Sequence, residues 1–298
     1  MRLRNKSLLG AGLIFGLALW FISSPSGLNP GDFEVLDGDP AQGELVFNIG
    51  GCASCHMAKE AEGEARFSLG GGQSFETPFG VFYAPNISPS KAGIGGWSAL
   101  DLANALLKGI SPEGAHYYPA FPYSSYARME MQDIADLKAF LDTLPAIEQD
   151  NLPHELPLPF RIRRSLGFWK LLFLKTDPIV ESAETRGQYL VEALGHCAEC
   201  HTPRNFLGGL DVSRWLAGAP NPEGKGRIPN LTPGGDLASW SAEDIAYYLE
   251  TGFTPEFDTA GSTMVEVVEN LARATPDDRL AIARYLKALP PLANSPRP

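Results

Sequence analysis

The chain has 298 residues, of which 44% are hydrophobic and 20% charged. That balance suits folded domains with substantial cores and excludes disordered and fibrous classes, and the length allows for two domains. A net charge of −11 argues against nucleic acid or an anionic membrane surface as the main partner. Abundant glycine (31) and proline (25) predict short helices joined by long loops.

At the N-terminus, Arg2, Arg4 and Lys6 precede an apolar run from Leu8 to Ile22, an export pattern that leaves the basic end in the cytoplasm. The run closes on Trp20-Phe21-Ile22 without a small-x-small cleavage pattern. Residues 1–30 are therefore expected to form a retained membrane-anchor helix and short linker, although the fifteen apolar residues rise only about 22 Å. The rest is expected to face the periplasm from the bacterial inner membrane.

Residues 31–147 form a first unit. Leu45, Val46 and Phe47 belong to a predicted helix that ends in Cys52-Ala53-Ser54-Cys55-His56. A long loop holds Pro85-Asn86-Ile87-Ser88-Pro89 and Trp97. Ser98, with Asp101 three residues on, opens a helix that Gly109 closes. Ile134, Leu137, Leu141 and Leu144 mark a last amphipathic helix ended by Pro145. The linker 148–183 begins with a proline-rich, extended stretch at Leu152–Pro159. Its basic, aromatic part has Arg161, Arg163, Arg164, Lys170 and Lys175 around Phe168, Trp169 and Phe173. Two readings suit it: a helix buried between the units, or a surface that docks on a membrane or partner.

Residues 184–298 repeat the first unit at offsets of 143 to 145. Tyr189, Leu190 and Leu194 lead to Cys197-Ala198-Glu199-Cys200-His201. Pro229-Asn230-Leu231-Thr232-Pro233, Trp240, Ser241 with Asp244, and Gly252 follow. The last helix carries Ile282, Tyr285, Leu286 and Leu289 after Thr275-Pro276, a strong helix start, and Pro290 ends it.

The two CxxCH pentapeptides use all four cysteines. Two thiols three residues apart on one helical turn can reach both vinyl groups of a porphyrin, with the adjacent imidazole beneath the iron. A zinc ribbon would place its CxxC pairs about 15 to 20 residues apart, and a thioredoxin-like dithiol would sit in a βαβ setting. Two covalently bound haem c groups are expected, attached through Cys52, Cys55, Cys197 and Cys200, with His56 and His201 as proximal ligands. With no fifth cysteine, a thiolate axial ligand is excluded.

The order of parts resembles the class I cytochrome c fold. The strings APNISP, GIGGWS, HYYPAFPYSSYARM and HCAECHTPRN are similar to those of proteobacterial membrane-associated di-haem cytochromes c, related to the cytochrome subunits of membrane-bound alcohol, sugar and aldehyde dehydrogenases. Those subunits commonly carry three haem modules, and this chain carries two. The expected fold is mainly α: two tandem class I cytochrome c domains with long loops around haem, preceded by the anchor helix.

The sixth ligands are sought among the methionines. Met1 lies at the cytoplasmic tip and Met57 directly follows a proximal histidine. Met264 lies in the loop before the last helix, where similar cytochromes place the axial thioether. In the first unit Phe121 stands where related subunits often have the ligand methionine of a PAMP string. Met129 is favoured there, with Met131 and His116 as alternatives and an open iron also considered. His154 and His196 are expected as satisfied surface or propionate-contacting histidines. Asn86 and Asn230 fall in N-x-S/T sequons but are read as parts of the loop over the haem, and Trp97 and Trp240 as packing residues or propionate donors.

The expected function is single-electron transfer, without independent catalysis, from a dehydrogenase or quinol-oxidising complex to a cytochrome or oxidase. The alternatives are a di-haem peroxidase with one open iron and a haem-based sensor.

Overall fold

The computed structural model describes residues 2–31, 36–221 and 226–295, with side chains from Gly12 onward. Met1 lies outside the described residues. The fold is mainly helical. The apolar N-terminal run forms α1 (Arg2–Ile22), and its side chains from Leu13 to Ile22 are exposed. Among the described residues no helix is long and apolar enough to cross a membrane.

In the first half, α2 (Pro40–Ile49) starts on an Asp39 cap with proline at its first position, as a missing N–H there costs nothing. It is followed by α3 (Cys52–His56) and an antiparallel hairpin of β1 (Ser74–Thr77) and β2 (Gly80–Tyr83). Then come α4 (Ala99–Ala103), which runs on as a π-helical turn over Asn104–Lys108, α5 (Tyr123–Tyr126) and α6 (Met131–Leu141). After the linker helix α7 (Leu166–Phe173), the second half has α8 (Thr185–Tyr189), a π-helical turn over Leu190–Leu194, and α9 (Ala198–His201). It continues with the short pair β3 (Ala219–Pro220) and β4 (Arg227–Ile228), then α10 (Ala242–Thr251), α11 (Met264–Leu271) and α12 (Pro276–Ala288).

Ser98 and Ser241 are the expected N-caps and form reciprocal capping boxes with Asp101 and Asp244, and Gly109 and Gly252 both close their helices in the left-handed region. The CxxCH segments, by contrast, are not the ends of the preceding helices. Gly51 (φ 60°) and His196 (φ 37°) break the chain in the left-handed region and start a separate turn, which frees each CxxCH to be aimed independently of the helix before it. Two short helices, α5 and α11, occupy stretches expected to be loop. α6 ends at Leu141, short of Pro145, with Thr143 N bonded to Phe140 O.

In each half the first and last helices cross at a glycine. A Cβ on Gly43 would lie 2.0 Å from Asp136 O in α6, and one on Gly187 would lie 2.0 Å from Ala281 O in α12. The two halves share one apolar core, joining Phe47, Ile134 and Leu137 with Leu190, Leu194, Ile282 and Tyr285.

The linker holds the extended stretch and a helix that is buried on one face only. Residues 152–159 lie outside any helix, with Glu155 bridged to Val81. One face of α7 packs inward: Trp169 stands edge-on to Tyr123 at 6.1 Å and donates from Nε1 to Leu207 O at 2.9 Å, while Phe173 fills the space beside Gly209. The opposite face leaves Leu171 and Leu172 exposed.

Candidate functional site

Both halves build the same donor set. His56 Nδ1 lies 2.7 Å from Pro85 O, and His201 Nδ1 lies 2.8 Å from Pro229 O. A carbonyl can only accept, so Nδ1 carries the proton and the Nε2 lone pair is left for a metal. Burial lowers both imidazole pKa values against the opposing effect of the proline carbonyls, which keeps the rings neutral as a ligand requires. Gly71 N and Gly218 N bond to His56 O and His201 O, each at 2.8 Å, so each ring is fixed from its backbone as well.

The proline carbonyls are themselves held by buried asparagines. Asn86 Nδ2 donates to Ile147 O (2.6 Å) and Gln149 O (3.0 Å), and its Oδ1 accepts from Ser88 N at 2.9 Å. Asn230 donates to Leu292 O (2.9 Å) and accepts from Thr232 N (2.8 Å). Each asparagine staples its Pro-Asn loop to the tail that follows the last helix of its half. At 2% and 0% exposure, neither side chain is open to glycosylation.

None of the four cysteines is in a disulfide. Burial pushes the Cys52 and Cys197 thiols up to about 12. Burial, then Glu266 and Cys200, push Cys55 up to about 11. These three are protonated thiols at neutral pH. Paired thiols, an adjacent neutral histidine in the metal-binding tautomer and the duplication of the whole set fit a c-type haem in each half.

The remaining histidines are used elsewhere. His116 was an alternative sixth ligand, and the structure removes it: Nδ1 lies 3.0 Å from Lys170 Nζ and Nε2 lies 3.0 Å from Ser23 O, so neither nitrogen can bind iron. His154 Nδ1 accepts from Tyr83 N at 3.2 Å between the rings of Phe82 and Tyr118. His196 Nε2 lies 3.2 Å from Gly50 O. Met129 is buried (7% exposed) in the core. Met131 is half-buried in the first turn of α6. Met264 is half-buried as the first residue of α11 rather than in a loop. Trp97 and Trp240 pack against the core, Trp240 edge-on to Tyr248 at 5.5 Å. Phe121 lies among Tyr117, Tyr123 and Tyr126.

The two CxxCH turns meet at the junction of the halves. Gly50 O accepts from both Tyr126 Oη (3.2 Å) and His196 Nε2 (3.2 Å), and those two rings stand edge-on at 5.6 Å. Glu199, inside the second CxxCH, accepts from Ser124 Oγ (3.0 Å) and Ser125 Oγ (3.2 Å) of the first half and pairs with Arg204. Ser54, inside the first CxxCH, accepts from Asn270 Nδ2 at 2.8 Å. Sequence reasoning missed Tyr126, Gly50 and the stapling asparagines' mechanical role. The equal offset of the two Pro-Asn strings was the one signal available for the last.

The Cytochrome c family profile matches residues 40–145. A diheme cytochrome c-type protein of Cereibacter sphaeroides is 55% identical over 283 residues, covering 93% of this chain and 95% of that one. The chain belongs to the cytochrome c family. This cytochrome is 38% identical over 266 residues to the fructose dehydrogenase cytochrome subunit of Gluconobacter japonicus, covering 86% of the chain and 53% of that protein. It is 33% identical over 304 residues to the alcohol dehydrogenase (quinone) cytochrome c subunit of Gluconobacter oxydans, covering 91% and 60%. It thus spans little more than half the length of these two dehydrogenase subunits. None of these three names describes a peroxidase, and the peroxidase alternative is left without support.

Proposed function

We propose that this cytochrome is a single-electron carrier made of two tandem class I domains, 31–147 and 184–298, each holding one covalently bound haem c. Cys52, Cys55 and His56 hold one, Cys197, Cys200 and His201 the other, with Met129 and Met264 as the sixth ligands. When bound there, each haem supplies reversible one-electron cycling of its iron. The chain supplies everything else. The Pro85 and Pro229 carbonyls fix the histidine tautomers and raise their basicity. The shared apolar core withholds water. The Tyr126–Gly50–His196 contact sets the two CxxCH turns against each other.

The observation that carries this reading is the duplicated histidine–proline carbonyl bond beside paired thiols. The relatives' names favour a dehydrogenase as electron donor, with a quinol-oxidising complex as the other candidate and a cytochrome or oxidase as acceptor. Retention at the bacterial inner membrane, with the haem domains in the periplasm, rests on the basic residues and apolar run of the N-terminal sequence, although no described helix is long and apolar enough to cross a membrane. The test is the haem content and the oxidised EPR spectrum of the purified protein. Two haem c per chain and two low-spin signals are expected. One haem per chain, or a high-spin iron that turns over peroxide, would overturn the reading.

A further inference from the structure

The end of α1 is gripped by the rest of the molecule. Arg164 donates from Nη2 to Trp20 O and Ser24 Oγ (2.6 Å each) and from Nε to Ser23 Oγ (3.1 Å), with its guanidinium 3.9 Å from the Trp20 ring centroid. Ser23 O is also bonded to His116, and a Cβ on Gly167 of α7 would lie 2.5 Å from it. Ile22, Leu171 and Leu174 line one opening of about 340 Å³ between the two helices. The apolar end of α1 therefore adjoins the outward face of α7 across this opening.

That face is apolar and basic in an acidic protein. Leu171 and Leu172 are each 59% exposed and Ile162 is 53% exposed. From Arg161 to Lys175 there are five basic residues and no acidic one. Arg163, Arg164 and Lys170 are spent on internal bonds, which leaves Arg161 and Lys175 exposed at the two ends of the apolar patch. An apolar face with basic flanks, joined to a helix whose exposed residues include Phe15 (66%) and Phe21 (74%), matches the interface of an anionic bilayer.

We propose that the outward face of α7 is a second membrane contact, which lies on anionic lipid beside the end of α1 and fixes the tilt of the haem domains above the bilayer. This rests on the retention of α1 and adds to it a specific orientation. The test uses the full chain in oriented multilayers containing phosphatidylglycerol, read by the angular dependence of its low-spin EPR signals. Wild type is expected to be angle-dependent, whereas Leu171→Asp/Leu172→Asp should pellet with the membrane, keep both signals and lose the angular dependence. An unchanged angular dependence in that variant would sink the proposal. So would an unoriented wild type in lipid alone, which would assign the face to a protein partner. If the leucine variant does not fold, Arg161→Glu/Lys175→Glu carries the test, because it should lose orientation only where the lipid is anionic. Intact mass of the membrane-extracted protein separates the two layers: loss of α1 overturns retention itself.

Discussion

Two thioethers stand in unequal settings, Met129 deep in the core and Met264 half-buried at the start of α11. A thioether stabilises ferrous iron and supplies a strong field. Met264→Ala is therefore expected to make the second haem high-spin with a lowered midpoint potential while leaving the first unchanged. Met129→Ala should do the same to the first alone. Should Met129→Ala leave optical spectrum and midpoints intact, Met131 is the residue to test next, since His116 is bonded at both ring nitrogens. The motif itself was legible because thiol spacing and histidine adjacency are local properties. The engagement of His116 was not, because its partners Ser23 and Lys170 lie 93 and 54 residues away.

At the scale of elements, the glycine crossings decide how closely the first and last helices of each half approach. A methyl group at Gly43 or Gly187 would meet backbone carbonyl oxygen, which cannot rotate aside as a side chain can. Gly187→Ala should cost about 3 kcal/mol, measured by denaturant unfolding, and a loss under about 0.5 kcal/mol would refute the close approach. In α7, burial drops the Lys170 amine from 10.5 to about 7, with His116 and the Tyr123 ring as its titratable and aromatic neighbours. Above about 7 the folded protein gives up a proton that the unfolded chain retains up to 10.5. Unfolding free energy should accordingly rise with pH through that window. Lys170→Met should lack this rise between pH 7 and 9, and equal slopes in the two proteins would contradict it.

Across the whole molecule, Glu192 ties the halves together. It is 2% exposed and accepts from Ile179 N (2.7 Å), Val180 N (3.2 Å) and Tyr285 Oη (2.7 Å), with Arg128 of the first half 3.9 Å away. Removing a buried carboxylate from such a set typically costs about 3–5 kcal/mol. Glu192→Leu should destabilise both halves together, with the spectral changes at both haems coinciding in one transition. Two separated transitions would show that the shared core does not couple the halves.

Sequence alone determined the duplicated CxxCH, the N-caps at Ser98 and Ser241, and the helix start at Thr275-Pro276. These depend on residues within a few positions of one another, so spacing and residue type suffice. Only the tertiary structure decided that Gly51 and His196 detach each CxxCH from its helix, that Asn86 and Asn230 hold the proline carbonyls, and that α7 turns Trp169 inward and Leu171 outward. Those outcomes depend on groups 60 or more residues apart for the asparagine contacts and on which face of a helix finds a partner. An apolar residue is drawn out of water by any sufficient apolar surface, and the local sequence of α7 does not say which surface that will be.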